Sequence, residues 1–141
     1  MKKQYDVSLL IPDRDENNDE EILMNNPHLN IIRKGNFDDD NDGCCFNYAL
    51  DDYDLVYCED AYDLITENYE QIYLEDAEEG DIAVYFDNLM EPKHFAIIQK
   101  TDGTIKNTII RSKWGCFGVY ETNIEEVPQL YGCLCEIWRK R

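Results

Sequence analysis

The side-chain period of this chain changes near Gly80. Before it, apolar residues recur at three- and four-residue steps, as in Ala61, Leu64, Ile65, Tyr69 and Ile72; after it they come in short β-rich runs such as Ile82-Ala83-Val84-Tyr85-Phe86. The first pattern lines one side of a helix and the second suits a strand. Helices followed by strands lay out an α+β domain with N-terminal helices packed on an antiparallel β-sheet, rather than alternating βαβ units. At 141 residues the chain is about one domain long, so the expectation is a single domain over 1–141 with no linker or repeat. Its 43% hydrophobic and 12% aromatic residues supply a core despite 31% charged residues.

Residues 1–26 read as an N-terminal strand, an acidic loop from Asp13 to Glu21, and a short helix around Ile22 to Met24 that Asn25-Asn26-Pro27 ends. The polar run Asn36 to Gly43 is a loop whose last members suit a helix N-cap, so a helix opens near Cys44 and Cys45 and carries Phe46, Ala49 and Leu50. The next helix starts at Glu59 and Asp60 and follows the apolar period through Ile72. Strands are expected over 81–86, 94–99, 105–112 and 131–138, with a hairpin at Thr101-Asp102-Gly103-Thr104. The basic, then apolar, N-terminus is too short for a signal peptide and runs at once into acidic residues, which points to a cytoplasmic protein or to one exported by a route that needs no such signal. No run approaches the roughly 18–20 apolar residues of a membrane-crossing helix.

The net charge of -18 disfavours nucleic acid and anionic lipid as partners. It is unevenly spread. From Asn36 to Glu91 there is no Lys or Arg, and then Lys93, Lys100, Lys106, Arg111 and Lys113 follow closely. Such an acidic lobe is either a solvated face or a surface that attracts a cationic peptide or a basic protein.

Six cysteines, Cys44, Cys45, Cys58, Cys116, Cys133 and Cys135, are expected as reduced thiols in the absence of an export signal. Neither Cys44-Cys45 nor Cys133-Leu134-Cys135 has the spacing of a zinc site, so no metal and no cofactor is assigned, and Cys58, Cys133 and Cys135 read as packed thiols. Of the two histidines, His28 reads as a surface or cap residue beside Pro27, whereas His94 opens an apolar strand. Cys45 at a helix start and His94 at a strand start supply a nucleophile and a general base from separate elements. Asp38, Asp39, Asp40 and Asp42 oppose ionisation of that thiol, and Cys44 is an alternative to it.

Three stretches, Cys45-Phe46-Asn47-Tyr48-Ala49, Gly80 to Phe86 and His94 to Ile98, resemble in order the helix-start Cys, Gly-Asp strand and strand-start His of papain-like NlpC-type and CHAP-type amidases. Ile110 to Gly115, Gly118-Val119-Tyr120 and Val127-Pro128 to Tyr131-Gly132 are closer still to small bacterial papain-like domains of unassigned activity. The resemblance covers 27–138. It implies a papain-like fold and a cysteine-dependent hydrolase or acyl transferase, of peptidase or amidase type, acting on an amide or thioester of a peptide or protein. Cys45 would be the nucleophile and His94 the base. Ser112, or Asn107 on the same expected strand, would orient the imidazole, and the Cys45 backbone N–H would form half of an oxyanion hole. A rival expectation from the charge is a non-catalytic acidic binding protein, of inhibitor or immunity type, on the same framework.

Overall fold

The computed structural model describes residues 3–12, 16–36 and 38–141, with only the backbone of Asp40. Asp13 to Asp15 of the acidic loop and Phe37 of the polar run therefore lie outside the described residues. Among those described, three α-helices accompany eight strands in one antiparallel sheet. The strands are β1 (Tyr5–Asp6), β2 (Asn30–Arg33), β3 (Tyr69–Ile72), β4 (Ile82–Phe86), β5 (Pro92–Lys100), β6 (Ile109–Lys113), β7 (Val119–Asn123) and β8 (Leu134–Lys140). The helices are α1 (Asp19–Asn25), α2 (Cys45–Leu50) and α3 (Cys58–Asn68). The strand order is β1-β8-β4-β5-β6-β7-β2, and β3 also pairs with β8. No helix among the described residues is long and apolar enough to cross a membrane.

Alternation along the strands divides the core between the two faces of the sheet. On one face Ala83, Tyr85, Ala96, Ile98, Ile110, Tyr120, Cys135 and Ile137 pack under Ile22 of α1 and under Val7, Leu9 and Ile11. On the other, Ile82, Val84, Phe86, Phe95 and Trp138 pack under Cys45, Phe46 and Ala49 of α2 and Ala61 and Ile65 of α3. The N-terminal stretch forms only a short strand. Its buried alternate residues continue past β1, held by backbone bonds from Val7 to Cys133 and from Leu10 to Glu125.

Three expectations are corrected. The helix expected through Ile72 stops at Asn68, because Tyr69 to Ile72 pair with Ile137 to Lys140 of β8; as strand residues Tyr69 and Ile72 are both buried, one in each of the two apolar clusters. The strand expected over 105–112 is β6, starting at Ile109. Ahead of it, Asp102 accepts from Thr104 N–H and Asn107 Nδ2, and Thr108 Oγ1 donates to the Thr104 carbonyl, which closes 101–108 into a loop. The edge strand β2 has no counterpart in the expected elements. At Gly132 the backbone is left-handed (φ 116°), and a Cβ there would sit 1.9 Å from the Phe86 carbonyl oxygen, so β8 enters the sheet through a position that only glycine fills.

Candidate functional site

The start of α2 is built by one buried amide. Asn47 accepts from the Cys44 backbone N–H (2.8 Å) and donates to the carbonyls of Asp52 (2.8 Å) and Leu55 (3.0 Å), tying the turn after the helix back onto its first residues. Gly43 ahead of it is left-handed (φ 79°), and Cys44 is the extended N-cap. Cys45 is therefore the first helical residue, as the sequence predicts, and it points into the sheet. It is buried against Phe95, Phe46 and Val84. The neighbouring Cys58 thiol and burial raise its pKa well above the ordinary thiol range, which the Phe95 backbone opposes only in part.

His94 lies one residue before Phe95 on β5, and adjacent residues of a strand face opposite ways. Its ring stacks on Tyr131 (centroids 3.9 Å apart, planes 3° from parallel) and contacts Tyr85 (5.4 Å), on the face away from α2. It is fully buried, and neither ring nitrogen has a hydrogen-bond partner among the described residues. Desolvation lowers its pKa to about 3, so the ring is neutral at physiological pH. The expected Cys45–His94 pair is thus not assembled: the sheet lies between the two side chains.

Ser112 shares its face with Ile110, as alternation requires, and so lies on the His94 side. Its hydroxyl accepts from Trp114 Nε1 at 3.2 Å. Asn107 is exposed in the loop before β6, where it donates to Asp102 at 2.7 Å. Neither orients an imidazole. His28 is exposed, with Nε2 3.5 Å from Glu126.

The α2 face carries two features instead. The first is a cleft of about 400 Å³ lined by Asp39, Asp42, Cys44, Tyr53, Val56 and Lys113, among others. Lys113 is fully buried, with its ammonium 3.2 Å from Asp42, and Asp42 also accepts from Arg33 (2.8 Å) and the Asn36 N–H (3.0 Å). Burial raises the Asp42 carboxyl, but the Asn36 bond and the two cations hold it below its ordinary value. The second is Cys58, the first residue of α3, which packs half-buried against the apolar cluster that holds Cys45.

Several cations that follow the acidic segment are spent on particular carboxylates. Arg111 meets Glu121, Arg139 grips Asp81 through two bonds of 3.0 and 2.8 Å, and Lys93 lies 3.4 Å from Glu91 and 3.7 Å from Asp87. Glu59, Asp60, Asp63 and Glu67 of α3 are exposed, and none forms an ion pair among the described residues. Asp63 and Glu67 are each four residues on from another acid, an arrangement that costs helix stability rather than adding to it. Comparison with protein families, with curated proteins and with solved structures returned no match in any of the three.

Proposed function

We propose that this protein is a non-catalytic binding protein, of inhibitor or immunity type, that takes a basic partner on its acidic α3 face and the adjoining turn. The observation that carries this reading is the unpaired row Glu59, Asp60, Asp63 and Glu67 beside the exposed side chains of Tyr53, Val56 and Tyr57. Aromatic and aliphatic anchors beside desolvatable charge are the usual makings of an interface. Excess negative charge raises the encounter rate with a cationic surface. The same reading accounts for the dispersed Cys45, His94 and Ser112, since a binder of this kind has no use for a nucleophile and base in contact. A papain-like cysteine hydrolase, the reading drawn from residue order, needs a base within about 3–4 Å of the Cys45 sulfur.

The test is fluorescence anisotropy with a labelled deca-arginine peptide. Binding should weaken at least about tenfold between 50 and 300 mM salt. The double variant Asp63→Lys/Glu67→Lys should weaken it further than Glu75→Lys/Glu79→Lys, which makes the same change of net charge elsewhere on the lobe. Equal losses in the two variants would reduce the effect to net charge and refute a defined face. Hydrolysis of an amide substrate that is lost in Cys45→Ala would instead establish the enzyme.

A further inference from the structure

The outer edge of β8 is shared by two strands that do not meet. β1 pairs with Leu134 and Cys135, β3 pairs with β8 from Ile137 onward, and Glu136 lies at the notch between them. A cleft of about 510 Å³ opens there, lined by Lys3, Gln4, Asp6, Gln71, Leu134 and Glu136. Glu136 is only 5% exposed, yet its carboxylate is held by neutral donors: Tyr62 Oη (2.9 Å) and Trp138 Nε1 (3.0 Å) donate to Oε1, and Gln4 Nε2 (2.8 Å) donates to Oε2. It forms no ion pair among the described residues. The cation of the cleft, Lys3, has its ammonium 5.3 Å from the centre of the Tyr73 ring instead. A buried charge is ordinarily paired with an opposite one. Three bonds leave this carboxylate one of its roughly four acceptor positions.

Asp6 supplies a second anion to the same cleft. It is exposed, and it too forms no ion pair among the described residues. Asp6 is the cross-strand partner of Leu134, and alternation puts Leu134 and Glu136 on one face of β8, so all three side chains share a face. Asp6 and Glu136 are then diagonal neighbours, with backbones about 7–8 Å apart and the apolar Leu134 side chain beside both. Six bonds of extended alkyl chain span about 7 Å. We propose that this cleft binds a linear aliphatic diamine of about five carbons, with one ammonium on Glu136, the other on Asp6 and the methylenes over Leu134. The buried carboxylate gains a counter-charge through a charge-assisted hydrogen bond and keeps its three neutral ones. The site is built on β1 and β8 and does not draw on the acidic row of α3, so it stands apart from the basic partner proposed above.

The probe is 1,5-diaminopentane, titrated calorimetrically into the full chain at neutral pH and 150 mM salt, where diffuse attraction to the net charge is screened. One saturable site is expected, at least about tenfold tighter for the diamine than for 1-aminopentane, which can satisfy only one carboxylate. Glu136→Gln should weaken the diamine at least about tenfold, since an amide keeps an acceptor but not the charge. Asp6→Asn should bring the diamine to within about twofold of the monoamine. Glu79→Gln makes the same change of net charge at an exposed residue outside the cleft and should leave binding unchanged within about twofold. Asp6 is exposed, so its variant decides the matter even where Glu136→Gln no longer unfolds cooperatively. Heat that never saturates, a diamine bound no more tightly than the monoamine, or an Asp6→Asn protein that binds the diamine as tightly as the unaltered chain would overturn the assignment. Equal losses in Glu136→Gln and Glu79→Gln would overturn it too, and would leave Glu136 a purely structural carboxylate.

Discussion

Replacing His94 by phenylalanine should make the protein both more stable and less sensitive to acid. The ring is sealed between Tyr131 and Tyr85 with both nitrogens unpartnered among the described residues, and its pKa falls from 6.5 to about 3 because charge cannot be solvated there. In the unfolded chain the same histidine titrates at its ordinary value. Between those two values the unfolded state binds a proton that the native state does not, so unfolding free energy rises with pH. Stability is therefore complete above pH ~6.5, is lost as pH falls, and levels off only below the folded value. At pH 5 the unfolded histidine is about 1.5 units below its pKa; at about 1.36 kcal/mol per unit, His94 costs about 2 kcal/mol between pH 7 and 5. Phenylalanine keeps the stacked ring and has no proton to bind. It should remove that 2 kcal/mol from the pH dependence and, by deleting unsatisfied nitrogens, add about 1–2 kcal/mol at pH 7. Urea unfolding of the two proteins at pH 7, 6 and 5 reads both quantities, and the many carboxylates titrate alike in each. Parallel stability curves, or a variant that is weaker at pH 7, would refute a neutral, unpartnered His94.

The other predictions concern what holds the framework. Asp19 is buried and accepts from Gly35 N–H (2.8 Å), Gly118 N–H (2.8 Å) and the Tyr120 hydroxyl (2.6 Å), so Asp19→Ala removes an acceptor that three donors share. It should cost about 3–5 kcal/mol by denaturant unfolding. Gly132→Ala forces a methyl group against the Phe86 carbonyl in a left-handed backbone, and should lower the unfolding midpoint more than Gly80→Ala, where a Cβ meets nothing within 4 Å. Asp63→Lys replaces a like-charge pair with Glu59 and Glu67 by opposite pairs and should raise the thermal midpoint by about 1–2 °C while weakening capture of a basic peptide.

The change of period at Gly80 was enough to read an α+β layout, and Asn36 to Gly43 correctly announced a helix at Cys45. Local signals of this kind are carried by adjacent residues. What stayed illegible was set by distant ones. Tyr69 to Ile72 became a strand only because β8, from the other end of the chain, offered it hydrogen bonds. The site was misread for a sharper reason. A helix-start Cys and a strand-start His in the right order carry no information on which face of the strand the ring occupies. One residue of register decides this: Phe95, not His94, faces Cys45. The turn between the helices was equally hidden, since it is held by the Asn47 amide bonding the Asp52 and Leu55 carbonyls.

The place of β8 has a consequence for how the protein is made. It is hydrogen-bonded to β4 on one side and to both β1 and β3 on the other, and all three precede it in the chain. During synthesis those strands leave the ribosome with their β8 edge unpaired, and the apolar side chains of β4, Ile82, Val84 and Phe86 among them, wait for residues 134–140 before the layer closes. Unpaired edges of this kind recruit neighbouring nascent chains. The segment from Asn36 to Glu91, which leads up to β4 and contains it, is the one without a single lysine or arginine. Chains emerging side by side on one messenger thus present like charge to one another for as long as their sheets stand open, and the lobe proposed to attract a partner from the folded protein would keep unfinished copies of it apart.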